Sequence, residues 1–171
     1  MSESRPEVWL RGPLPGYIDE LQPVAHSLLQ VREELEAAAT LPDDKLWLKP
    51  GGAASVGFHL KHLAGSLDRL LTYANGRPLN AAQRQALADE DGPATTGDDA
   101  AALVTAARAA IDRALAQARG TPLCTLDETR EVGRDRLPST VLGLLFHAAE
   151  HAQRHSAQII TTAKVVMGSG D

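Results

Sequence analysis

At 171 residues the chain is sized for a single domain over 1–171, and 22 acidic against 17 basic side chains leave a formal net charge of −5. That balance argues against nucleic-acid binding, which calls for a basic patch, and no run of like charge is long enough for an interaction tail. The one cysteine, Cys124, excludes an internal disulfide framework. With no apolar leader in "MSESRPEVWL" and no apolar stretch long enough to span a bilayer, the expectation is a reducing, cytoplasmic setting without membrane contact.

A hydrophobic fraction of 43% with only 4% aromatics places the core on Leu, Ala and Val. The first helical pattern covers roughly 17–40, with Ile18, Leu21, Ala25, Leu28 and Leu35 on one side. Pro23 inside it predicts a late start or a bend. "LPDDKLWLKPGG" (41–52) breaks the pattern into a loop. The second helix is expected over roughly 55–75, capped by Ser55 and stopped by Asn75-Gly76 and Pro78. A shorter helix at 80–90 begins with a capping-box pattern, Asn80 and Gln83, and "DEDGPATTG" closes it. The third long helix runs roughly 97–119, with Leu103, Ala107, Ala110, Ile111 and Ala114 inward, and ends at Gly120 and Pro122. Residues 121–137 are long for a plain connection and read as a small hairpin or a flap. The fourth long helix starts after Pro138 with Ser139 as its cap and reaches about 164. Strand signals are nearly absent, so the expected class is all-α: a four-helix bundle with a short extra helix and a long loop before the last helix.

Five of the six histidines form two clusters: His59 and His62 early in the second helix, and His147, His151 and His155 in the last. On a helix, residues four apart lie one above the other and can share an ion. His147 and His155 are about 12 Å apart along the axis, too far for both to reach one ion with bonds of about 2 Å. The pair is therefore 147/151 or 151/155, completed from the second helix by His59 or His62, neighbours on one face. Three imidazoles stacked in a core without metal would each need a polar partner. His26 stands alone and reads as a surface or hydrogen-bonded residue.

"HAAEH" (147–151) also matches the H-x-x-E-H pattern of inverted zinc proteases, with Glu150 as base. Glu150 lies about 100° from His151 on the helical wheel, which turns it away from such a site. No phosphate-loop motif occurs. Asp68 and Arg69 read as surface or interhelix ion-pair residues, Ser66 as a pocket-lining candidate, and Cys124 as a buried or inert thiol.

"SVGFHLKHLAGSLDRLLTYANG" (55–76) followed by "VGRDRLPSTVLGLLFHAAEHAQRHSAQI" (132–159) resembles the DinB/YfiT-like superfamily of damage-inducible four-helix bundles. The resemblance implies His62 as the ligand from the second helix, and His151 and His155 as the pair from the last. "HSAQ" (155–158) stands where the family has "HRGQ", so Ser156-Ala157 replaces a basic residue and glycine near the site. His59, His147 and Gln158 become candidates for roles around the ligands: a proton shuttle, an orienting partner, or plain packing. The resemblance further implies a mononuclear divalent ion (nickel, zinc or iron), a homodimer, and a hydrolase or thiol-dependent transferase acting on a small molecule, with a small thiol as one candidate substrate. The competing expectation is a bundle that binds a metal or small ligand without turnover, in a stress-related role.

Overall fold

The computed structural model describes residues 5–92 and 98–168. The fold is all-α with one small hairpin, in the order α1 (Gln22–Glu34), α2 (Asp43–Leu46), α3 (Val56–Ala74), α4 (Ala81–Ala88), α5 (Ala100–Gly120), β1 (Thr129–Val132), β2 (Leu137–Thr140) and α6 (Val141–Gly168). No helix among the described residues is long and apolar enough to cross a membrane.

The start of α1 is late, with Pro23 in its first turn, where its missing N–H costs nothing. The helix then tightens into a 3-10 segment, Leu35–Thr40, so the apolar pattern continues while the hydrogen bonding changes. The stretch expected as plain loop contains the single turn α2, which drives Leu46 fully into the core. Ser55 caps α3 by accepting from the Phe58 N–H at 3.1 Å. Asn80 and Gln83 form the reciprocal capping box of α4 at 3.0 and 2.8 Å. Asp99 caps α5, accepting from the Ala102 N–H at 2.7 Å.

The 121–137 connection does hold a hairpin: β1 and β2 pair antiparallel, Arg130 opposite Ser139. That pairing corrects the expected start of the last helix. Ser139 is in the ladder, so the cap passes to Thr140, whose Oγ1 accepts from the Gly143 N–H at 3.0 Å. The helix also runs four residues further than expected, to Gly168.

Helix α3 packs against both α5 and α6, and α1 packs against the same two helices from the other side. The buried apolar residues are Leu, Ala and Val with Ile111 and Ile159, and no aromatic is among them. On α3, Leu60, Leu63 and Leu67 are essentially solvent-free. Truncating such a leucine to alanine costs about 2–5 kcal/mol. This seat fixes the rotation of α3 and hence the direction of His59 and His62 beside those leucines.

Candidate metal centre

Helices α3 and α6 carry their histidines toward each other. Candidate ligand atoms of His62, His151 and His155 all lie within 4.8 Å of one another. Nε2 of His62 is 2.9 Å from Nε2 of His151. The ring centroids of His62 and His155 are 4.6 Å apart, and those of His151 and His155 are 4.5 Å apart. His155 is buried, and His62 and His151 are half-buried at the mouth of the cluster.

Two partners orient these rings from behind. His62 Nδ1–H donates to Glu90 Oε2 at 2.6 Å, which leaves Nε2 as the lone-pair nitrogen facing His151. Nδ1 of His155 meets Nδ1 of His59 at 3.0 Å, where one nitrogen donates and the other accepts. The ring of Phe58 stacks on His62 at 14° with centroids 5.4 Å apart and covers one of its faces.

Glu90 is buried, as is Arg69, whose Nη1 donates to Glu90 Oε1 at 2.8 Å. The carboxylate is thus shared between a guanidinium and an imidazole. Gly65 makes room for it: an added Cβ would stand 2.7 Å from both Arg69 Nη1 and Glu90 Oε1. Burial works against ionisation of Glu90, but the hydrogen bonds from His62 and Arg69 outweigh it and hold its pKa below the usual carboxylate value. Burial, reinforced by the neighbouring imidazoles, depresses His151 to about 4 and His155 to about 3. His59 is lowered for the same reasons, burial first and then His62. His59, His151 and His155 are therefore held toward the neutral form, in which histidine binds divalent ions. His151 Nδ1 is buried and has no hydrogen-bond partner among the described residues, so the protein's own groups do not saturate the cluster. Donor type, convergence and this unsatisfied nitrogen all fit a divalent ion.

The other residues singled out from sequence lie elsewhere. His147 is exposed and 3.4 Å from Glu150 Oε2, outside the converging triad, although its ring contacts that of His151 at 5.3 Å. Gln158 is exposed, away from the role around the ligands considered for it. Glu150 pairs with Arg154 on the surface, so the inverted-protease pattern is not assembled. Ser66 is buried but donates to the Leu63 carbonyl at 3.1 Å rather than toward the histidines. Ser156 donates to Glu34 at 2.7 Å and ties α6 to α1. Cys124 is exposed, not buried. His26 Nε2 donates to the Gly12 carbonyl at 3.0 Å. The hairpin is anchored at the far end of α3, where Arg130 Nε donates to the Ala74 carbonyl at 2.8 Å. That carbonyl is about 18 Å along the axis from His62, so the hairpin does not lie over the histidines.

Sequence reasoning missed Glu90, Gly65 and the role of Arg69. Glu90 sits in an acid-rich turn with no periodicity to mark it as buried. A signal did exist in Arg69, which falls two turns from His62 on the same face of an apolar helix and there requires a carboxylate.

Comparison with the curated proteins gives no match. Comparison with known families matches residues 27–159, well over half of the chain, to the DinB superfamily. The matched span contains His62, His151, His155 and the turn that supplies Glu90, and the chain belongs to the DinB superfamily.

Proposed function

We propose that this protein is a metal-dependent enzyme of the hydrolase or thiol-transferase type. It acts on a small molecule at a divalent ion held by His62, His151 and His155, within a four-helix bundle of the DinB/YfiT type. The observation that carries this reading is the convergence of three imidazoles from helices whose ligands lie 89 or more residues apart in sequence. The ring of contacts among α1, α5, α3 and α6 supports the bundle.

Three protein ligands leave positions open on a divalent ion, as in catalytic rather than closed structural sites. An ion bound there would serve as a Lewis acid that makes a water or thiol nucleophilic at neutral pH. The protein's own part is orientation: Glu90 fixes the tautomer of His62, His59 holds the ring of His155, and Phe58 shields one face of His62. Nickel, zinc and iron all suit an imidazole set. A cytoplasmic homodimer completes the reading, on the family resemblance and the single cysteine.

One observation favours a non-catalytic, stress-related metal or ligand binder. The carboxylate that touches the histidines, Glu90, is already engaged by His62 and Arg69 and is not free to act as a general base. Spectroscopy of a cobalt- or nickel-loaded form separates the two, since ligand exchange at an open position is expected of the enzyme and not of a closed binder.

Elemental mass spectrometry after dialysis without added metal tests the site itself. About one divalent ion per chain is expected for an open three-histidine site, lost in each of His62→Ala, His151→Ala and His155→Ala. Unchanged metal content in all three variants would overturn the reading.

A further inference from the structure

We propose a second binding site, for a small organic phosphate, in the cleft between the C-terminal end of α3, helix α4 and the β1–β2 hairpin. Five arginines line this one cavity: Arg77 after α3, Arg84 on α4, Arg130 on β1, and Arg134 and Arg136 in the hairpin turn. Its volume is about 920 Å³, within the range of small-molecule pockets. The whole chain carries a net charge of −5, so this concentration of cations runs against its composition.

Neutralisation within the cleft is incomplete. Glu131 pairs with Arg136, and Glu128 accepts from Arg130 at 2.8 Å. Among the described residues Arg84 donates only to the Leu79 carbonyl, a neutral acceptor. Arg77 and Arg134 have no carboxylate partner among the described residues. Three guanidiniums thus keep their charge at one concave surface, and the guanidinium fork matches the oxygens of phosphate. Tyr73, Leu79 and Leu87 add apolar surface to the same lining. Leu87 stays 46% exposed. Guanidiniums and apolar groups in one lining fit a phosphate attached to an organic body.

Arg136 has φ +52°, and no other non-glycine residue among those described has a positive φ. That conformation belongs to the turn joining β1 to β2, which carries Arg134 and Arg136 into the cleft lining. The cleft is separate from the histidines: Tyr73 follows His62 by about 16 Å along the axis of α3.

The test uses the full-length, metal-loaded protein labelled with nitrogen-15. It is titrated with phenyl phosphate, inorganic phosphate and sulfate at matched ionic strength. Phenyl phosphate is expected to give saturable shifts at the amides of Tyr73, Gly76 and Gly133 and to bind more tightly than inorganic phosphate. The double variant Arg77→Ala/Arg134→Ala is expected to weaken it by about tenfold or more, because each charge-assisted hydrogen bond is worth at least that factor. His62→Ala is expected to bind it unchanged, so loss of the metal centre and loss of this site are told apart. Absence of saturation, equal shifts with sulfate, or full affinity in the double variant would overturn the proposal.

Discussion

Glu90 Oε2 lies 2.6 Å from Nδ1 of His62, while its other oxygen is 2.8 Å from Arg69. The carboxylate therefore sets which nitrogen of His62 is left to face His151. Replacing Glu90 by glutamine keeps the shape and removes the charge. Metal affinity of Glu90→Gln is expected to fall about 10–100-fold, the usual cost of losing an outer partner of a metal-binding histidine. Competition against a chromophoric chelator measures it, with helix content by circular dichroism as control. Equal affinity in variant and wild type would remove Glu90 from the site.

Gly65→Ala would normally help an exposed helix by about 1 kcal/mol. Here the new methyl meets both Arg69 and Glu90 at 2.7 Å. The expected result is the opposite sign: a lower melting temperature, and a loss of metal affinity in the same direction as Glu90→Gln. Combining the two substitutions should cost less than their sum, because both act through the same carboxylate. Full additivity would mean that Gly65 matters only for packing.

Acid should destabilise the metal-free protein early. His151 and His155 titrate near 4 and 3 in the folded chain, against an ordinary 6.5. Above 6.5 neither folded nor unfolded chain is protonated at these rings. As pH falls below 6.5 the unfolded chain takes up protons that the folded chain resists, so stability drops until the folded values are passed. Glu90 acts in the same direction: its depressed pKa contributes stability above the ordinary carboxylate value, lost as pH falls through the folded one. Melting temperature of the chelated protein should therefore decline between pH 7 and 4. The decline should be shallower in His155→Gln, and an identical slope in that variant would contradict the account.

Removing the ion should lower the melting temperature of the wild type. A ligand at 100 times its dissociation constant adds about 2.7 kcal/mol to the folded state. Chelator should shift the wild type and leave His62→Ala in place, as read by differential scanning fluorimetry.

The parts of this fold that were legible in sequence are those whose signals are local. Ser55, the Asn80–Gln83 box and the Asn75-Gly76-Pro78 stop each act within one turn of chain, and the structure uses all of them. Ser139 misled because its local capping signal competes with a non-local one, the ladder partner Arg130. The clustering of His62, His151 and His155 was readable from helical spacing and the family pattern. Glu90 was not, since its partner is 28 residues away and its own turn carries no period. The outward positions of His147 and Gln158 mark the limit of helical spacing, which groups residues on a face without fixing how much of that face a neighbouring helix covers.

The separation of His62 from His151 has one more consequence. The two are 89 residues apart, and the chain, with a single cysteine, has no means of forming an internal disulfide. An ion shared between them closes that long loop, and the chain entropy removed by closing a loop grows with its length. The ion would be a reversible staple between α3 and α6, opened by acid or chelation where a disulfide is opened by reductant. His151 and His155, on consecutive turns of one helix, form their half of the staple without any tertiary structure. His62 joins them only when the two helices have docked, so metal uptake would report on tertiary folding rather than on helix formation.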